Sequence, residues 1–345
     1  MKAVSIWNKL RSEEKFLLFF SIVCLLLFYF TSGGSISFYD FFLLEAEAFT
    51  VSFNFFQGAA ILAAAFSVYV YIKVFLEHAG ILSKRGNPAA RLKDLAGKAR
   101  GLLRPLLFLL FGFSNLLIAL SGITADVQGR IANEMLLGWD EAVFGVYPFI
   151  WLHTAANSLK PVFDFLSPLI IYSFQGLSLV IGATMIFFMK NRKIYPALVS
   201  SFFIAMGIGL FFWWAVPANS PNNYYLSVER SIPGYDPNRF VAEFEEKVRS
   251  RQQKLPPIST FPSSHVNWGM QIVFFWAVYD RRTLFVSVPW FLLMALGTVY
   301  LAQHYAVDIL LGIPLGAVSI AAANLLVKRL SGGDSLAKPG AETEC

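Results

Sequence analysis

The chain has 345 residues, of which 56% are hydrophobic and 14% charged, with a mean hydropathy of +0.57; soluble domains carry about 25% charged residues, so a soluble globular fold is excluded. The net charge of +6 would suit nucleic acid, but Lys and Arg lie between apolar runs instead of forming one stripe, so they orient the chain in a bilayer and nucleic acid is not a partner. Two cysteines, Cys24 within the first apolar run and Cys345, build no disulfide framework and suggest no zinc site or nucleophile.

A bilayer-spanning helix needs roughly 20 mostly apolar residues. Eight segments are candidates: 16–32, 51–76, 105–123, 167–189, 195–216, 266–280, 283–303 and 304–328. The sixth is short, and the last two abut at His304, which requires a tight turn there. No small-x-small cleavage site follows the first run, so it is read as a retained span. Alternate connections hold 19 Lys and Arg in one set and 8 in the other. The richer set is assigned to the cytoplasm, with both termini inside.

The expected fold is an all-α integral-membrane bundle. Residues 1–104 form a two-span extension with a basic cytoplasmic loop, 105–328 a six-span catalytic core, and 329–345 a cytoplasmic tail. Within the core, residues 124–160 contain W-D-E-A-V-F-G-V-Y-P-F-I-W, an amphipathic stretch expected at the membrane surface. The longest connection, 217–264, is extracytoplasmic. In it Asp236 and Pro237 read as helix N-cap and first position, Phe240, Val241, Phe244 and Val248 as an apolar stripe, and Pro256-Pro257 as the stop. This predicts an interfacial helix able to cover a site.

There are four histidines: His78, His153, His265 and His304. The first two are read as snorkelling interfacial side chains. Between His265 and His304 lie one span, the Asp280-Arg281-Arg282 turn and a returning span, so both histidines reach the same outer face. Asp308 follows His304 by four, one helical turn away. Its carboxylate can accept the Nδ1 proton of His304 and leave Nε2 as a nucleophile. A carboxylate near a membrane end is costly without such a partner. Pro262, Ser263 and Ser264 make a helix-start signature, and free N–H groups at a helix start suit a phosphate. The scheme has neutral His304 attacking phosphorus, Asp308 orienting it and protonated His265 supplying the leaving oxygen's proton. Two histidines and one aspartate are also a possible zinc set, but no third sequence-local ligand accompanies them, and the scheme needs no metal or cofactor.

F-P-S-S-H at 261–265 and H-Y-A-V-D at 304–308 resemble two signature motifs of the type 2 phosphatidic acid phosphatase superfamily, P-S-G-H and S-R-x5-H-x3-D. The resemblance is closer to its inositol phosphorylceramide synthase-like branch, with F-P-S-x-H and H-Y-x-x-D, and extends over about residues 105–325. It implies His304 as nucleophile, His265 as acid/base, Asp308 as orienting carboxylate and Ser263 as a phosphate contact, with Ser264 beside it. Two features depart from the superfamily pattern. The Arg six positions before the nucleophile is Thr298, preceded by Gly297, and no K-x6-R-P motif precedes the long loop. Lys98 with Arg104-Pro105 is one residue short in spacing and on the cytoplasmic side. Lys247, Arg249, Arg251 and Lys254 are the candidate replacement cations, with Arg251 and Lys254 nearest the motif.

These residues predict an integral-membrane lipid phosphatase or phosphotransferase, acting at the extracytoplasmic face on a lipid phosphate or phosphodiester. An alcohol acceptor would take the phosphoryl or phosphoinositol group in the transferase case. The rival reading is a polytopic transporter or an inactive lipid-phosphate-binding scaffold. Asp140, in W-D-E-A-V-F-G, has no role derivable from sequence, and neither does the oligomeric state.

Overall fold

A computed structural model describes residues 10–33, 38–55, 88–127, 130–221 and 261–330, and among these every regular element is a helix. In chain order they are α1 (Ser12–Thr31), α2 (Phe38–Phe55), α3 (Pro88–Val127), α4 (Asn133–Phe144), α5 (Pro148–Ser158), α6 (Lys160–Gln175), α7 (Leu177–Phe188), α8 (Ile194–Ala215), α9 (Ser264–Tyr279), α10 (Leu284–Tyr300) and α11 (Ala306–Leu330). A 3-10 turn at Arg281–Thr283 joins α9 to α10.

Five of these segments are long and apolar enough to cross a membrane: α1, residues 104–127 of α3, α8, α10 with its preceding 3-10 turn, and α11. The pair α6 and α7 qualifies as a sixth, bent by 52° at the intervening Gly176. Of the eight expected spans, the one at 266–280 is a helix of only 16 residues, and 51–76 falls largely outside the described residues. The predicted interfacial helix at 236–254 also lies outside them, as do His78 and the 329–345 tail beyond Leu330. The last span begins at Ala306, not at 304, because Ala302 takes φ 51° and residues 301–305 are spent on the turn.

The segment 124–160 resolves into two short helices. Gly145 ends α4 in the left-handed conformation at φ 71°, and Pro148 opens α5 at its first turn, where a missing N–H costs nothing. On α4 the buried residues are Asn133, Leu136, Leu137 and Asp140, spaced at helical period, while Met135, Trp139, Val143 and Phe144 are exposed. The division between the two faces is one of burial and not of polarity, since the buried face carries Asn133 and Asp140 and the exposed one is rich in large apolar side chains.

Packing divides along the bundle axis. The larger core joins α1, α3, α7, α8 and parts of α9 to α11, with Leu17, Phe20, Phe113, Phe202 and Trp268 among its members. α3 runs unbroken through position 104, and α1 packs along it. At the α1 start, Glu13 and Glu14 are almost wholly buried, and each has a cation: Arg11 Nε lies 2.6 Å from Glu13, and Arg104 Nη2 2.6 Å from Glu14. Arg104 is thus engaged at the end of the bundle remote from the histidines, which removes Arg104-Pro105 from the site. A second core at the opposite end gathers Leu136, Phe149, Ile170, Phe261, Tyr300 and Tyr305 around that end of α9, α10 and α11.

Midway, α8 and α9 are tied by a buried polar chain. Ser201 donates to Gln271 Oε1 at 2.9 Å, and Gln271 donates to Asn267 Oδ1 at 2.6 Å. In an apolar bundle such bonds fix rotation as well as contact, because sliding either helix leaves polar groups unmatched.

Candidate active site

Both signature segments are built by local rules. Ser263 is the N-cap of α9, its side chain accepting the Val266 N–H at 3.3 Å. The helix start predicted at Pro262-Ser263-Ser264 is therefore present, and it places His265 in the first turn. The turn before α11 is shaped by Thr298, whose carbonyl accepts the Gln303 N–H at 2.9 Å and the His304 N–H at 3.1 Å. Thr298 is fully buried. At the position where the resemblance expects an Arg, the Thr298 hydroxyl turns back to the Ala295 carbonyl at 2.7 Å.

Two features lock the segments together. The Ser263 N–H donates to the Asp308 carbonyl at 3.2 Å, joining the first motif to the second through the backbone. On α11, Gly312 comes so close that a Cβ there would lie 2.8 Å from the Ser263 carbonyl oxygen and 3.2 Å from Val266. The lack of a side chain at Gly312 lets the two helix starts approach.

The resulting constellation is a hydrogen-bonded row. His304 Nδ1 lies 3.1 Å from Asp308 Oδ2, and His304 Nε2 lies 2.8 Å from His265 Nδ1. An ionised Asp308 only accepts, so His304 donates from Nδ1 and its Nε2 carries the lone pair. His265 must then be the donor from Nδ1. The sequence reading left Nε2 of His304 free; in the structure His265 occupies it, so the two rings must part to admit a phosphoryl group. His304 is 3% exposed and Asp308 0%, whereas His265 is half-buried against Phe174 and Trp268.

The other predicted residues fare differently. Ser263 is fully buried with its oxygen engaged as a helix cap, and Ser264 is half-buried in the first turn of α9. Arg251, Lys254, Lys247 and Arg249 lie outside the described residues. Two described cations from the same set of connections are already paired: Arg130 with Asp126 at 2.9 Å and Lys160 with Asp164 at 2.8 Å. His153 lies on α5, remote in sequence from both motifs. Among the described residues no group of three or more His, Cys, Asp or Glu is arranged to hold a metal ion. The two histidine rings address each other and not a common centre.

Sequence reasoning missed Asp140. It is fully buried on α4, and its two oxygens accept the backbone N–H groups of Ala306, at 3.1 Å, and Val307, at 2.9 Å. Burial pushes its carboxyl up to about 6, and the charge of Asp308 pushes the same way, against the two N–H groups that favour the ionised form. A signal was available. Asp140 lies one helical turn from Leu136 and Leu137 on the stripe of α4 that is buried, and a carboxylate there needs partners.

One family's sequence model, described as the PAP2 superfamily, matches residues 136–322. That interval contains α4 from its buried face onward, both motif segments and most of α11. No curated protein and no solved structure matches the chain.

Proposed function

The chain belongs to the PAP2 superfamily, and from that premise we propose that it is an integral-membrane phosphatase or phosphotransferase forming a phosphohistidine on His304. The observation that carries the reading is the row Asp308–His304–His265, with spacings of 3.1 and 2.8 Å, at the N-terminal ends of two apolar helices.

The steps follow from the tautomer. A phosphoryl group enters between the rings, and the Nε2 lone pair of His304 attacks phosphorus as the bond to the leaving oxygen breaks. Asp308 stabilises the positive charge that develops on the imidazole. His265, protonated on substrate binding, gives its proton to the leaving oxygen. Water or an alcohol then loses a proton to His265 as its oxygen attacks phosphorus, and the P–N bond breaks. The start of α9 supplies N–H groups and a positive dipole end beside the anion. Arg251 and Lys254 in the 217–264 loop are the proposed headgroup cations, with Ser264 a further phosphate contact.

The substrate is an amphiphile. Exposed Trp139, Phe144 and Trp151 on the two short helices suit the headgroup zone of a bilayer, so its tail can stay in lipid while the phosphate meets the row. The charge asymmetry of the connections supports an extracytoplasmic position for this end. The F-P-S-S-H and H-Y-A-V-D wording favours the inositol phosphorylceramide synthase-like branch, and hence transfer of a phospho-headgroup to a lipid acceptor.

The test is turnover of lipid phosphates and phosphoinositides by purified protein and by His304→Ala. The variant should lose activity by roughly 10⁶-fold, the scale seen when a covalent nucleophile is removed, and stay folded in detergent. Persistent turnover rejects the mechanism; no turnover by either protein favours the transporter or scaffold. With labelled lipid, free phosphate identifies a hydrolase, and a new phosphodiester formed with added alcohol or ceramide identifies a transferase.

A further inference from the structure

The W-D-E-A-V-F-G stretch is the one sequence motif that the chemistry above leaves unused. It contains two adjacent residues that reach the two catalytic segments separately. The Trp139 ring meets Phe261, the first residue of F-P-S-S-H, edge-on at 5.6 Å between centroids. Asp140, the next residue, points into the protein and accepts the N–H groups of Ala306 and Val307, two and three residues after His304. Consecutive helical side chains diverge by about 100°, so one short helix can touch both segments only if it lies across them.

We propose that Trp139 and Asp140 form a clamp across the two catalytic segments, with Asp140 a positioning residue that keeps the Asp308 carboxylate turned to His304. The reason lies in competition for acceptors at the start of α11. The first N–H groups of a helix lack partners within it, and here Ala306 and Val307, which carry the first two, are buried. A carboxylate three residues into a helix is well placed to reach back to such groups. Asp308 holds that position and already accepts the Tyr305 N–H at 3.1 Å with the same oxygen that receives His304. Asp140 satisfies the next two amides from outside the helix. Without it they would be the nearest unsatisfied donors to Asp308, drawing its carboxylate from the imidazole.

The clamp is itself anchored at the other end of α4. The Ala132 N–H donates to the Pro217 carbonyl at 2.7 Å, and the buried Asn133 accepts the Asn219 N–H at 2.8 Å. The start of the long loop and the start of the last helix therefore share one support.

This inference rests on reading His304 as the nucleophile, so its test has one arm that uses activity and one that does not. Asp140→Asn keeps the shape but puts an N–H₂ where a backbone N–H must be accepted; Asp140→Glu keeps the acceptor charge on a longer stem. On a lipid phosphate that the full-length enzyme turns over in a His304-dependent way, Asp140→Asn should lower kcat at least tenfold, the scale of a small misplacement, with KM changed less than about threefold. Asp140→Glu should recover part of the lost kcat. Hydrogen exchange at residues 305–308 should quicken in Asp140→Asn while the rest of α11 stays unchanged.

The proposal is overturned if folded Asp140→Asn keeps kcat within about threefold of the parent, if the loss falls in KM, or if Asp140→Glu recovers nothing. It is also overturned if Asp140→Asn is unfolded at the assay temperature, which would make Asp140 a residue of the fold alone. Should the parent show no His304-dependent turnover, the functional reading fails separately. The exchange arm then decides the clamp: quickened exchange at 305–308 supports it, and unchanged exchange overturns it.

Discussion

Asp140 holds a carboxylate out of water where two backbone amides and a second carboxylate compete over its charge. Its folded value of about 6 lies above the ordinary value near 3.9. The folded state therefore binds the proton more readily than the unfolded one, and ionisation of Asp140 costs stability as pH rises from about 4 to about 6. Asp140→Asn has no such titration. The melting temperature of the variant minus that of the parent, measured in detergent, should become more positive by a few degrees between pH 4 and 7. A flat or falling difference would show that burial does not govern this group. The His304–Asp308 pair was legible from its spacing of four, although His304 lies in the turn ahead of α11 and meets the carboxylate across the helix start and not along one helical face. The partners of Asp140 were not legible, because they are backbone groups 166 and 167 residues away, and backbone N–H groups carry no sequence signature.

Elements meet here through small residues and short bonds. Gly312 is the point where α11 presses on the α9 start, and the Ser263 carbonyl leaves no room for a side chain. Gly312→Val should force the helices apart, costing on the order of 1–3 kcal/mol in stability as overpacking does. Activity should fall further than stability alone accounts for, because the Ser263–Asp308 bond and the histidine contact lie at the same junction. Melting temperature and kcat on one preparation check this; a variant with both unchanged would place the helices farther apart than described. The amphipathic reading of 124–160 predicted a surface stretch, and the segment forms the two short helices α4 and α5. That reading was silent on which residue of α4's buried face would meet which helix, since a stripe states only that something covers it.

For the whole molecule, the bundle has two distinct ends. One is closed by Glu13 and Glu14 with Arg11 and Arg104, the other by the histidine row under α4. The charge asymmetry of the connections predicts that the Asp280-Arg281-Arg282 turn faces the cytoplasm and the Gly145-Val146 turn the opposite side. Both Val146 and Arg281 are exposed. Cysteines introduced there, with Cys345 replaced by Ser, should react with an impermeant maleimide from opposite sides of sealed membranes, Val146→Cys from outside. Labelling from one side would dismantle the orientation. Span counting from length and apolarity was incomplete. The segment at 266–280 is a short helix inside the bundle, and length and apolarity do not separate a buried helix from a lipid-facing one.

Composition and periodicity by themselves determined that this chain is a helical membrane protein, and motif spacing determined that two histidines and an aspartate belong to one end of it. Those conclusions depend only on transfer of apolar surface out of water and on the 3.6-residue repeat, both local to each segment. Only the tertiary structure decided that His265 closes directly on the Nε2 of His304, that Ser263 spends its hydroxyl oxygen on a helix cap, and that Asp140 holds the last helix by its first amides. Each is a contact between segments far apart in the chain, and the apolar pattern that brings such segments together does not encode which polar atoms then meet.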